Sequence, residues 1–246
     1  MTIATWELRR PTFPSRFLTA HRGAAEVALI GALYLVSELS RGLAGDATAA
    51  EAERHAHTIV GWERGAHVFG EGAVQRAVEH VPGLPGLLGY AYVTLHLAVT
   101  AAVLVWLYRR VPQAYRTLRN ILVLASSLAI VGYALYPTAP PRLASVGISD
   151  TVSGATSVNL TSNLANSFYN PYAAVPSMHI AFSLLAGLTV ARVAGSRALR
   201  VAGVLYPVFV LFVIVATGNH FFFDALAGAG VAGVAALAMS LTRRLA

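Results

Sequence analysis

Runs of apolar residues, broken by short polar clusters, dominate this chain. A helix crossing about 30 Å of hydrocarbon needs about 20 mostly apolar residues. Six stretches approach that length: 24–44, 84–108, 120–136, 178–194, 201–217 and 221–241. The pattern predicts an all-α fold, a polytopic bundle of six transmembrane helices forming one domain over 24–246 after a polar segment 1–23. The third to fifth stretches reach only about 26 Å at helical rise, so their ends are expected to extend into the flanks. The first stretch is too long and too far into the chain for a signal peptide, and is expected to be an uncleaved anchor.

Between the first two spans, residues 45–83 mix Asp46, Glu51, Glu53, Glu63, Glu71 and Glu79 with apolar positions at helical spacing, Ala52, Ala56, Ile59 and Val60. They are expected to form one or two amphipathic helices lying on the membrane surface. Residues 137–177, rich in Pro, Ser, Thr, Asn and Gly, form a long irregular loop, and 217–220 a tight turn. No internal repeat or inverted pair of broken helices suggests a secondary transporter.

Composition sharpens the class. Of 246 residues, 56% are hydrophobic and 12% charged, with mean hydropathy +0.61 and no cysteine. Soluble domains carry about 25% charged residues, so a soluble enzyme, a disordered chain, a disulfide scaffold and cysteine-based redox chemistry are excluded. All 18 basic residues are arginine, which removes Schiff-base lysines and the phosphate lysine of nucleotide-binding loops. Thirteen of them (Arg9, Arg10, Arg16, Arg22, Arg109, Arg110, Arg116, Arg119, Arg192, Arg197, Arg200, Arg243, Arg244) fall on one side of the six-span arrangement. Five (Arg41, Arg54, Arg64, Arg76, Arg142) fall on the other. That bias places both termini in the cytoplasm and the loops 45–83, 137–177 and 217–220 outside. The net charge of +7 is thereby a matter of topology, and no nucleic-acid partner is expected. The Ala- and Arg-rich, lysine-free composition suggests a bacterial cell membrane.

Sparse polar residues at span ends each need a reason. The third span ends in Tyr136-Pro137-Thr138-Ala139-Pro140-Pro141-Arg142, whose guanidinium suits a phosphate or carboxylate, or anchors the helix at headgroups. The fourth span opens with Val175-Pro176-Ser177-Met178-His179, where serine can cap and free N–H groups at and after Met178 can hold an anion. The sixth opens with Thr217-Gly218-Asn219-His220-Phe221-Phe222-Phe223-Asp224. His220 and Asp224 lie four apart and so share a helix face, where the carboxylate can fix the imidazole tautomer. A buried structural pair is the plainer alternative. His96 inside the second span, and Glu26 and Glu38 in the first, are intramembrane ionisable groups. Asp150, Asn170 and Tyr172 lie in the long loop within reach of the same face.

The order Pro-Pro-Arg, Pro-Ser-x-His, His-x-x-x-Asp resembles the three-motif signature of the type 2 phosphatidic acid phosphatase superfamily, which includes lipid phosphate phosphatases and soluble vanadium haloperoxidases. YPTAPPR and GNHFFFDALAG are closer to its inositol phosphorylceramide synthase-like branch, and the likeness covers roughly residues 60–235. The resemblance implies that His220 is the nucleophile forming a phosphohistidine, that Asp224 orients it, and that His179 protonates the leaving oxygen. It makes Arg142 and Ser177, with nearby backbone N–H groups, phosphate binders, and involves neither metal nor cofactor. The partners implied are a lipid phosphate and an acceptor, either water or an alcohol such as inositol. Departures are the missing first-motif lysine, Met178 in place of glycine, and Ile214 in place of arginine six residues before the nucleophile. Arg142 then carries more of the phosphate charge, with Asn219 or an arginine of 45–83 as a supplement. A catalytically silent headgroup-binding protein, a serine protease through Ser177 and His220, and a zinc site are the competing classes. Substrate tail and oligomeric state are not encoded in these motifs.

Overall fold

The computed structural model describes residues 49–160 and 171–245. The expected first span, the segment 1–23, Glu26, Glu38 and Asn170 lie outside those residues. Among the described residues eight α-helices follow in order: α1 Ala49–Gly65, α2 Glu71–Glu79, α3 Leu84–Arg110, α4 Pro112–Leu135, α5 Thr151–Ala155, α6 Met178–Val193, α7 Arg197–Ala216 and α8 Phe222–Leu245. A 3-10 turn, Pro141–Leu143, interrupts the loop after α4.

Among the described residues four helices, α3, α4, α7 and α8, are long and apolar enough to cross a membrane, and α6 is a shorter apolar helix of 16 residues. The protein is therefore a multi-pass helical membrane protein. α4 begins eight residues before the apolar stretch does, because Pro112 fits the first helical turn, where its missing N–H costs nothing. Arg116 and Arg119 ride on that extension, where long side chains can reach the headgroup level.

The short α6 runs through the middle, packed against α3, α4, α7 and α8. Glycines let it sit there. A Cβ on Gly187 would lie 2.3 Å from the Gly203 carbonyl oxygen, so α6 and α7 approach at backbone distance. Around this axis the outer faces carry Leu97, Val105, Val131, Leu205, Val208, Leu226 and Leu237, each more than half exposed. Such a girdle is stable against lipid, not water.

α1 departs from expectation. Its stripe Ala52, Ala56, Ile59 and Val60 is buried against Ala139, Ala144, Val175 and Phe221, and so faces protein rather than the membrane surface. Amphipathic spacing reports that one face is buried; it does not report what covers it. α1 and α2 thus sit over the bundle end where α4 and α7 finish and α6 and α8 begin.

Candidate active site

The three motifs meet at that end. His220 precedes α8 and Asp224 lies in its first turn; His220 Nδ1 and Asp224 Oδ2 are 3.1 Å apart. The same carboxylate oxygen accepts the Phe221 backbone N–H at 2.9 Å. Asp224 is fully buried and His220 nearly so. With a carboxylate on Nδ1, that nitrogen carries the proton and Nε2 keeps its lone pair. The second motif is tied to this pair through the main chain: Ser177 N–H donates to the Asp224 carbonyl at 3.0 Å. Gly228, one turn on, makes the approach possible, since a Cβ there would fall 2.2 Å from the Ser177 carbonyl oxygen.

His179, in the first turn of α6, brings its ring centroid to 5.4 Å from that of His220. The Tyr92 ring of α3 stacks on His179 at 4.5 Å and lies 6.4 Å from the His220 ring, and the Tyr92 carbonyl faces His179 Nε2 at 3.3 Å. His96 lies behind, its ring 3.9 Å from that of His179 and its Nδ1 buried without a hydrogen-bond partner. His96 therefore contacts the second-motif histidine, although nothing in the spacing connects span two to the loop.

Arg142 is buried, and each of its donors can be traced. Its backbone N–H donates to Gly218 O at 2.9 Å, and Nε to Asn219 Oδ1 at 2.8 Å. Nη1 lies 3.4 Å from Asp150 Oδ2, whereas Nη2 is buried with no partner. An unpaired guanidinium nitrogen beside the third motif is a donor that an anion can use. Gly218 adopts φ +69, and a Cβ there would strike Ser149 O at 2.7 Å, which makes this turn a glycine position.

Asn219 and Asp150 both accept from Arg142 and hold it. The Asn219 amide nitrogen donates to Thr217 O and Thr217 Oγ1, both at 3.1 Å, so its polar atoms are committed. Asp150 also caps α5 by accepting from Ser153 N and Oγ, and a carboxylate would repel a phosphate. Gln75 of α2 fixes this loop, accepting from Ser149 N at 2.9 Å and donating to Thr151 Oγ1 at 2.8 Å.

Other expected residues are differently placed. Ser177 occupies the cap position of α6, but its hydroxyl makes no cap bond and is buried without a partner. The Met178 side chain packs into the core between α3, α4, α6 and α8, so only its backbone N–H can serve an anion. Tyr136 stacks on His55 at 3.9 Å, and His55 Nδ1 contacts Pro137 O at 2.7 Å. Tyr172 contributes its carbonyl, which accepts the Thr138 N–H at 2.7 Å. Sequence reasoning missed His55, Tyr92, Gln75, Glu63 and Glu71. The acids were visible only as part of an amphipathic pattern, and no spacing rule links them to α8. Beside α8 opens an apolar groove of about 640 Å³ lined by Trp62, Ala66, Val68, Phe222, Phe223 and Leu226, with Glu63 at its wall. Among the described residues no group of three or more His, Cys, Asp or Glu side chains is arranged to hold a metal ion.

A buried His–Asp pair, a second histidine against it and a guanidinium with a free donor gather at one end of the bundle, a set of groups able to bind an anion and move a proton. Compared with known families, the chain matches the model of the PAP2 superfamily over residues 57–238, and it belongs to that superfamily. The match begins in α1 and ends in α8, so it contains all three motifs. Searches of curated proteins and of solved structures gave no match. Superfamily membership points to an enzyme of the lipid-phosphatase type acting in a membrane.

Proposed function

We propose that the protein cleaves a lipid phosphate ester through a phosphohistidine on His220 and passes the phospho group to water or to an alcohol such as inositol. The observation that carries this is the His220–Asp224 pair at 3.1 Å, set beside His179 and the unpaired Nη2 of Arg142. In the proposed reaction His220 Nε2 attacks phosphorus in line, and the bond to the lipid oxygen breaks. His179 gives that oxygen its proton. In the second half His179 takes a proton from the acceptor hydroxyl, whose oxygen displaces His220. Arg142 and the first-turn N–H groups of α6 stabilise the equatorial oxygens throughout, a division of labour that suits phosphoryl transfer. Arginine placement supports a site on the extracytoplasmic face of a cell membrane with cytoplasmic termini.

The likeness of YPTAPPR and GNHFFFDALAG to the inositol phosphorylceramide synthase-like branch favours an alcohol acceptor over water. The test is turnover of a panel of lipid phosphates by purified protein in detergent, with and without inositol, beside His220→Ala and His179→Ala. Phosphate release lost in both variants supports a phosphatase, and a new phospho-product only with inositol supports a transferase. Wild-type turnover by His220→Ala refutes the nucleophile assignment.

A further inference from the structure

The first turn of α8 leaves backbone N–H groups without intrahelical acceptors, as every helix start does. Here three consecutive ones are taken by carboxylates from three different elements. Phe221 N–H goes to Asp224 Oδ2 at 2.9 Å, Phe222 N–H to Glu71 Oε1 at 3.0 Å and Phe223 N–H to Glu63 Oε1 at 2.7 Å. Caps are usually local side chains, yet Glu71 and Glu63 lie 151 and 160 residues away in the chain. Both are buried, with Glu71 fully so. Their outer oxygens, Oε2 of each, find no donor among the described residues, and acceptance from adjacent peptide N–H groups brings the two carboxyls to the same helix start. Two facing carboxylates can bond only if one is protonated. The helix N-terminus stabilises negative charge, but only in part.

We propose that Glu63 and Glu71 form a one-proton carboxyl clamp that positions His220, by pinning the main chain immediately after it. This rests on the proposed role of His220 as nucleophile. The clamp fixes the Phe222 and Phe223 peptides while Asp224 fixes Phe221, so the segment joining His220 to its orienting carboxylate is held at three successive N–H groups. It also ties α1 and α2, which cover the site, to the helix that carries the chemistry. Around Glu63 the facing titratable groups are Glu71 from α2 and Asp224 from α8, both acidic. No arginine bridges to either glutamate among the described residues. Burial, and then the bond to Glu71, push the Glu63 carboxyl up to about 8. Above that pH two buried anions would stand beside Asp224, and the clamp opens.

The experiment is the pH–rate profile of the purified enzyme with Glu63→Gln and Glu63→Ala, alongside infrared difference spectra of the same proteins. Glu63→Gln keeps an acceptor for Phe223 N–H and donates an amide proton to Glu71, so it should hold wild-type kcat at neutral pH and lose the alkaline fall. Glu63→Ala should lower kcat about tenfold or more with KM little changed, because it displaces the nucleophile and not the phosphate site. The spectra should show a protonated-carboxyl stretch near neutral pH in wild type that is absent from Glu63→Gln. A missing stretch, or Glu63→Ala matching wild type, overturns the clamp while leaving the function standing. Full activity in His220→Ala strikes the functional reading instead, and the infrared result still decides the shared proton.

Discussion

Replacing Gly228 with alanine is the sharpest probe of how the motifs are held together. The added methyl would sit 2.2 Å from Ser177 O, 3.0 Å from its carbonyl carbon and 3.3 Å from its nitrogen. A carbon–oxygen contact relaxes to about 3.3 Å, so α8 and the start of α6 must part by about 1 Å. All three atoms met are backbone, which cannot swing aside as a side chain would. The Ser177 N–H to Asp224 carbonyl bond, now 3.0 Å, would stretch to about 4 Å and be lost. Overpacking of this kind costs about 1–3 kcal/mol and the bond about 1 kcal/mol more, so a loss of roughly 2–4 kcal/mol is expected. The same displacement moves His179 relative to His220, and a 1 Å misplacement of reacting groups costs about 100-fold in rate. Gly228→Ala should therefore lower both the thermal midpoint in detergent and kcat on the preferred lipid phosphate. Gly230→Ala and Gly233→Ala supply the control: nothing lies within 4 Å of either Cβ, and alanine there gains up to about 1 kcal/mol of helix propensity. If Gly228→Ala retains wild-type midpoint and rate, the close approach of α8 to Ser177 does not position the site.

Three further outcomes are expected. Asp224→Asn keeps the shape of the pair but no longer holds the Nδ1 proton, and should cut kcat by roughly 10²–10⁴-fold while leaving substrate affinity near normal; single-turnover kinetics measure this. Arg142→Lys keeps the charge but loses the Nε bond to Asn219 and the planar fork, so kcat/KM should fall about 10–100-fold, and a wild-type value would remove Arg142 from phosphate binding. Because the folded-state Glu63 carboxyl lies at about 8 against an ordinary 4.5, its contribution to stability is fully present below about 4.5 and is lost as pH rises through about 8. Thermal midpoints of wild type should accordingly fall across that window relative to Glu63→Gln, and parallel curves would contradict the raised carboxyl.

Helix type was legible from apolar runs because a membrane helix must be apolar over its whole length, and five of the six expected stretches coincide with helices α3, α4, α6, α7 and α8. The His220–Asp224 pair was legible for a related reason: four residues on a helix are a fixed distance, so spacing alone predicts contact. Boundaries were less legible, since Pro112 extends α4 through arginines that a hydropathy pattern treats as loop.

What the sequence determined by itself is therefore everything periodic: an all-helical membrane chain, the sign of its arginine distribution, and three motifs of local spacing. What only the tertiary structure decided is which distant groups complete the site. His96 meets His179 across two helices, Gln75 holds the loop of Asp150, and Asn219 accepts from Arg142 while its amide N–H groups go to Thr217. Glu63 and Glu71 read as acids of a surface helix, yet they cap α8 from more than 150 residues away. The physical reason is that periodicity encodes which face of a helix is buried, whereas the partner buried against it is set by how the helices pack.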